Sequence, residues 1–279
     1  MSAAQPAFEQ DDRARFERDG FLAVAGLVPA DEIAAIRDIY DDLFARRAGW
    51  ERGDFFDMLD PEERQVGPRL LQLAWPSREA PFLAATEMRR RAFSLATGLL
   101  GPRAELVWEF AILKPPRHGA ATPWHQDEAC FTTGTPYRTA ISVWIPLQDV
   151  DEATGCMRYV PGSHHGELAA HAPFGGDMRA HAVGAVAPDT RGAVTVPLAA
   201  GDAVLHHSRT LHGAGPNLTD RPRRAITLEF AVPDRAQMIR RDYAWNRRTT
   251  ARDARANRAT PMRQRLRRGL RLALIRLGW

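Results

Sequence analysis

Pro123-Trp124-His125-Gln126-Asp127 lies near the middle of this 279-residue chain, and Leu211-His212-Gly213-Ala214-Gly215-Pro216-Asn217 follows some eighty-five residues later, with Arg223 and Arg224 just beyond. In an extended strand, residues two apart point to the same face, so His125 and Asp127 aim an imidazole and a carboxylate at one point. A second imidazole from His212 completes two histidines and one carboxylate on one side of a metal, as in mononuclear iron(II) sites whose opposite face stays open. Open positions point to chemistry rather than to a structural ion.

The surrounding pattern sets the fold expectation. From residue 104 onward, short apolar runs alternate with turns: 105–113, 139–147, 157–160, 193–198, 203–207 and 224–232 read as strands. Ile141, Val143 and Ile145 against Ser142 and Trp144 predict a sheet with one face on a core and the other on a cavity. Before residue 104 the grammar is helical. Residues 7–19 form one helix, stopped at Asp19-Gly20 ahead of a short strand over 21–25. Residues 31–47 place Ile33, Ile36, Ile39, Tyr40 and Leu43 at helical spacing. Residues 82–100 form a third helix, ended by Gly101-Pro102. Between 49 and 81, Pro, Gly and aromatic residues break any period, which predicts an irregular surface segment, part of a lid. The whole is a mainly β chain with flanking α-helices, a sandwich or jelly roll spanning residues 1–234 as one domain.

Composition bounds the rest. Lys114 is the only lysine among 38 basic residues, and Cys130 and Cys156 are the only cysteines, too few for a disulfide framework. Reduced thiols, and the lack of a basic start followed by an apolar run, predict a cytoplasmic protein. No stretch is long and apolar enough to span a bilayer. The net charge of +4 is unevenly spread: residues 235–279 carry fourteen arginines against Asp242 and Asp253, which leaves residues 1–234 at −8. Arginine richness of this kind does not amount to a nucleic-acid patch.

Several segments in fixed order resemble the phytanoyl-CoA dioxygenase family of iron(II)- and 2-oxoglutarate-dependent oxygenases. They are Asp19-Gly20-Phe21, Lys114-Pro115-Pro116, Pro123 to Asp127, Pro161-Gly162-Ser163-His164, and His212 through Arg224. The resemblance implies a double-stranded β-helix, the cupin-like jelly roll. It implies His125, Asp127 and His212 as iron ligands and Arg223 as the clasp for the far carboxylate of 2-oxoglutarate, a task suited to a rigid, permanently charged fork. Arg224 would face the opposite side of a strand and is assigned to solvent or an ion pair. His206 and His207 compete with His212 but precede the Gly-rich turn of the family, so His212 is preferred. His164 and His165 are assigned to capping, and His118, His171 and His181 to nothing. Trp144 matches an aromatic residue near the co-substrate. Gln126 points away from the metal in a regular strand and reaches 2-oxoglutarate in a twisted one, Ser142 is placed in reach of 2-oxoglutarate, and Arg138, Lys114 and Asn217 at the substrate end.

The implied reaction consumes O2 and 2-oxoglutarate, releases succinate and CO2, and hydroxylates a C–H bond of a small molecule. Desaturation, epoxidation and ring closure belong to the same chemistry. An arginine at a cavity mouth, as expected of Arg138, favours an anionic substrate. Two other readings compete. One is a jelly roll that binds a ligand without turning it over. The other is a zinc hydrolase, in which Arg223 has no use. Residues 235–279 form an Arg-rich extension. Leu266, Leu270, Ala273, Leu274 and Leu277 read as the apolar stripe of a basic helix over 263–279. That helix is expected to dock on the acidic body, with an anionic membrane or a carrier protein as the rival partner.

Overall fold

The computed structural model describes residues 10–259, apart from residues 61, 63, 65, 66, 68, 132, 133, 242, 244 and 246–249. Helix α1 (Gln10–Asp19) ends at Gly20, whose φ of +80° and close approach to the His164 ring leave no room for a side chain. Strand β1 (Phe21–Val24) follows, and then α2 (Ala30–Ala45), which buries Ile33, Ile36, Tyr40, Leu43 and Phe44. Helix α4 (Glu87–Leu100) starts five residues later than expected, because Thr86 caps it through the Arg89 amide and Glu32 accepts from the amides of Glu87 and Met88. The short α3 (Pro76–Glu79) precedes it.

All six expected strands are present: β4 (Glu105–Lys114), β6 (Pro136–Pro146), β7 (Met157–Tyr159), β10 (Val194–Val196), β11 (Ala203–His207) and β13 (Arg223–Met238). Six more complete the sheets: β2 (Phe55–Asp57), β3 (Leu71–Ala74), β5 (Thr122–His125), β8 (His171–Pro173), β9 (Val183–Ala185) and β12 (His212–Ala214). The large antiparallel sheet runs β1-β11-β6-β13-β4-β3-β2, and a smaller one runs β10-β7-β12-β5. Strands β8 and β9 form a separate hairpin. The architecture is a jelly-roll sandwich and not a closed barrel.

The segment 49–81 departs from its expected irregularity, because β2 and β3 extend the large sheet and are buried throughout. Phe55, Leu71 and Leu73 face the helices while Phe56 and Gln72 face the cavity. With both faces covered, strands of three and four residues show no period-two contrast.

One face of the large sheet packs Ile141, Val143, Ile145, Leu205, Ile226 and Leu228 against α2 and α4 in one apolar cluster. Each fully buried side chain of this size contributes about 1.5–3 kcal/mol. The other face carries the alternate residues of the same strands toward the small sheet, with Trp144, Val204 and Ala225 touching Met157 and Tyr159. The candidate site lies between these two sheets.

Strand β13 continues across residue 234, where the Arg-rich extension was set to begin. Within that extension, α5 (Ala251–Ala259) packs on the single turn Trp50–Arg52, with the Arg255 guanidinium 3.5 Å above the Trp50 ring. The expected helix over 263–279 lies outside the described residues. Among the described residues, no helix is long and apolar enough to cross a membrane. Neither Cys130 nor Cys156 forms a disulfide among the described residues.

Candidate active site

Strands β5 and β12 are antiparallel neighbours in the small sheet, and His125 stands directly opposite His212. Gly213 permits this approach: a side chain there would meet the Thr122 carbonyl at 3.1 Å. After His125 the backbone remains extended through Gln126 (φ −122°, ψ 128°), so Asp127 points to the same side as His125 even though it opens the turn Asp127–Cys130. Oδ1 of Asp127 lies 3.5 Å from Nε2 of both His125 and His212. One ligand atom from each residue falls within 4.8 Å of the others.

The donor set fits a divalent metal. Nδ1 of His125 donates to the Pro123 carbonyl at 2.8 Å, and Nδ1 of His212 donates to that of Thr210 at 2.8 Å. Each bond leaves the Nε2 lone pair directed at the Asp127 oxygen, the tautomer a metal requires. Burial, followed by the charges of His125 and His206, pushes the His212 pKa well down and keeps that ring neutral. Burial alone would raise the Asp127 pKa, but His212, His125 and His206 outweigh it and hold the carboxyl well below its usual range.

The second oxygen of Asp127 has its own partners. Ser142 Oγ donates to Oδ2 at 2.9 Å and His206 Nε2 reaches it at 3.2 Å, while the Tyr159 hydroxyl, 3.0 Å from His206 Nδ1, fixes that ring in turn. Ser142 and His206 are opposite one another on β6 and β11. The sequence reading placed Ser142 beside the co-substrate, whereas its hydroxyl is engaged with Asp127.

A cavity of about 550 Å³ opens on the three donors and is lined also by Trp144, Arg223 and Thr227. Arg223 is 1% exposed, and its Nε and Nη1 have no hydrogen-bond partner among the described residues. Its guanidinium carbon lies 5.5 Å from the Trp144 ring. Burial lowers its pKa to about 10, which leaves it cationic at neutral pH. Arg224, one residue on, faces the other side and pairs with Asp41 at 2.6 and 2.8 Å.

The remaining expected residues divide. Arg138 lines the cavity, yet it is paired with Glu229 at 2.9 Å. Gln126 turns away from the donors: its amide donates to the Arg209 carbonyl at 2.6 Å and accepts from the Ala169 amide at 2.8 Å. Lys114 is fully buried opposite Arg223 on the neighbouring strand β4, where burial and then the Arg223 charge push its pKa well down. Its ammonium donates to the Gly215 carbonyl. Asn217 ties the loop after β12 by donating to the carbonyls of Lys114, Pro115 and Arg221. Neither Lys114 nor Asn217 lines the cavity. His171 accepts from the Gln126 amide at 3.1 Å and supports the turn into Asp127. The sequence reading missed Glu229, the Tyr159–His206 support of Asp127, and two further lining residues, His181 and Arg252.

Residues 16–225 match the phytanoyl-CoA dioxygenase (PhyH) family. The chain belongs to that family. It is 26% identical over 259 residues to phytanoyl-CoA dioxygenase domain-containing protein 1 of Bos taurus, an alignment covering 77% of this chain and 87% of the bovine protein. Among solved structures it is similar to EvdO2 from Micromonospora carbonacea var. aurantiaca complexed with 2-oxoglutarate, with a TM-score of 0.69 and 32% identity, over 86% of this chain and 99% of that one. It is also similar to the epimerase SnoN in complex with Fe3+, alpha ketoglutarate and nogalamycin RO, with a TM-score of 0.60 and 29% identity, over 79% and 82% of the two chains. As a PhyH-family member, the chain is an iron(II)- and 2-oxoglutarate-dependent dioxygenase, an oxidoreductase acting on a small molecule.

Proposed function

We propose that this PhyH-family dioxygenase hydroxylates an unactivated C–H bond of its substrate, with iron(II) held by His125, Asp127 and His212 and the far carboxylate of 2-oxoglutarate held by Arg223. Arg223 carries the reading: a buried guanidinium with two unpartnered nitrogens opens on the same cavity as the three donors. An unpaired buried cation is costly, and a ligand carboxylate offsets that cost through a two-point, charge-assisted contact.

Bound iron(II), with O2 and 2-oxoglutarate, supplies the oxidising power for C–H cleavage and leaves succinate and CO2. The chain's own residues do the positioning. His125 and His212 present Nε2 atoms aimed by backbone carbonyls, and Asp127 presents Oδ1 because Ser142 and His206 occupy Oδ2. A carboxylate at this position leaves no ligand site for a halide, which supports hydroxylation over halogenation. Trp144 and the apolar walls exclude water from the reacting carbon. The 2-oxoglutarate bound in EvdO2 and the Fe3+ and alpha ketoglutarate bound in SnoN support the same pairing here.

The test is conversion of 2-oxoglutarate to succinate by the purified protein with iron(II) and O2, and the appearance of a hydroxylated product across a substrate panel. Asp127→Ala and His212→Ala bring succinate formation to background. Undiminished turnover in either variant removes the reading.

A further inference from the structure

The end of the cavity away from Arg223 holds an ion pair that the iron chemistry does not use. Glu229 and Arg223 lie on the same face of β13, six residues apart, about 20 Å along an ideal strand. Arg138 donates to Glu229 from Nε at 3.2 Å and from Nη2 at 2.9 Å, and both bonds end on Oε1. Oε2 therefore accepts no hydrogen bond among the described residues, in a side chain that lines the cavity. The Arg138 guanidinium is fixed from behind by the Phe131 ring, 3.9 Å away. Phe56, Trp108 and Phe110 give the same cavity its aromatic wall, and Arg252 lies 3.9 Å over the Phe56 ring.

Packing alone does not explain the pair, since a buried ion pair does no better than two apolar side chains of the same volume. Its open oxygen gives it a use. A substrate carboxylate would meet Glu229 and be repelled, and an ammonium would meet Arg138. A hydroxyl satisfies both partners: it donates to Glu229 Oε2 and accepts from a remaining N–H of Arg138. The register adds the location. Glu229 stands opposite Ser142, the residue that holds Asp127, so a hydroxyl docked here lies one strand position from the metal donors.

We propose that the Arg138–Glu229 pair is the substrate-recognition element of this cavity and selects an uncharged substrate, a bulky apolar ring system bearing a hydroxyl group, oriented by that hydroxyl. The inference rests on the oxygenase reading above and replaces the anionic substrate expected from Arg138 alone. Burial pushes the Glu229 pKa up to about 7, against the opposing charge of Arg138 and with the help of Asp127.

Three bicyclic probes test it on protein loaded with iron(II) and 2-oxoglutarate under anaerobic conditions: 2-decalol, its methyl ether, which lacks the donor, and decalin-2-carboxylate. Calorimetry on the wild type is expected to give at least about tenfold tighter binding of the alcohol than of the ether, the worth of one hydrogen bond to a charged acceptor. Glu229→Leu collapses that ratio and, by leaving Arg138 uncompensated, raises affinity for the carboxylate about tenfold. The double variant Arg138→Leu with Glu229→Leu removes both charges, so it loses the alcohol preference without gaining affinity for the anion. Equal wild-type affinity for alcohol and ether, including no measurable binding of either, overturns the proposal, as does a carboxylate preference in the wild type. Wild-type protein that forms no succinate from 2-oxoglutarate fails the oxygenase reading instead; protein that forms succinate yet ignores the hydroxyl fails only this one.

Discussion

His206 Nε2 lies 3.2 Å from Oδ2 of Asp127, the oxygen that faces away from His125 and His212. The carboxylate is thereby divided, with Oδ1 turned to the two histidine nitrogens and Oδ2 held by His206 and Ser142. Partners of this kind orient a ligand without touching the metal, and their loss costs about 10–100-fold in metal affinity. His206→Ala and Ser142→Ala are expected to weaken Co(II) or Fe(II) binding by about that factor, whereas His212→Ala abolishes defined binding. Titration followed by the visible spectrum of Co(II) separates the two roles, because loss of a partner keeps the ligand set and loss of a ligand changes it. An unchanged affinity in His206→Ala would show the Oδ2 contact to be idle.

Arg223 and Arg224 are neighbours with opposite consequences. Removing a charge-assisted contact worth about 1.5–3 kcal/mol predicts that Arg223→Gln raises the KM for 2-oxoglutarate by about 10–100-fold. Arg224→Gln breaks the pair with Asp41, whose side chain is 48% exposed, and a long contact with the Pro222 carbonyl, and is expected to change stability by less than about 1 kcal/mol and KM not at all. Steady-state kinetics with 2-oxoglutarate as the varied substrate decide the matter; equal effects of the two substitutions would reverse the assignment of faces.

What could be read in the chain beforehand follows from range. His125 and Asp127 sit two apart, so local alternation puts them together; the same period lets only one of Arg223 and Arg224 enter the cavity, and the family resemblance, through spacing from His212, chose Arg223. The helix-facing side of β6, with Ile141, Val143 and Ile145, announces itself by contrast with Ser142 and Trp144. Glu229 gives no such signal, since its partner Arg138 lies 91 residues away and the strand between Ala225 and Val232 reads as well with an acid on a solvent face. Strands β2 and β3 were hidden for the opposite reason, being covered on both sides. Gln126 turns away as a regular strand requires, and its two loop partners, which sequence spacing does not reveal, keep its amide from 2-oxoglutarate.

The raised pKa of Glu229 makes stability depend on pH in a fixed direction. Its carboxyl titrates near 4.5 when unfolded and at about 7 in the folded protein, with Arg138 and Asp127 as the charges acting on it. From pH 4.5 to about 7 the unfolded chain releases its proton first, so the stability present below 4.5 is progressively lost and settles above about 7. Glu229→Gln removes this linkage. The variant is expected to gain on the wild type between about pH 5 and about pH 8, with a ceiling of about 3 kcal/mol. Denaturant midpoints for both proteins at the two pH values measure it. A difference that stays constant with pH, or that shrinks as pH rises, contradicts the sign.

Helix α5 is anchored by a buried arginine, Arg255, with Arg252 beside it. Arg255 is 5% exposed, donates to the carbonyls of Trp50 at 2.8 Å and Phe55 at 3.1 Å, and stacks 3.5 Å above the Trp50 ring. Arg252, one turn earlier, donates to the Gly53 carbonyl at 2.7 Å and lines the cavity, so this anchor also sets one wall of the active site. Arg255→Ala removes the stack and two hydrogen bonds, to the Phe55 carbonyl and to the Trp50 carbonyl that Gly53 also donates to, a local cost of about 2–4 kcal/mol. Because Arg255 anchors the helix to the Trp50–Phe55 segment, the cost falls on its docking rather than on the sheets. Proteolysis between residues 238 and 260 is expected to accelerate about tenfold or more while the main thermal transition moves little. Arg255→Lys keeps the charge but not the planar stack or the fork, and it should fall between the two. If the cleavage pattern of Arg255→Ala matches that of the wild type, the helix is held by something other than Arg255.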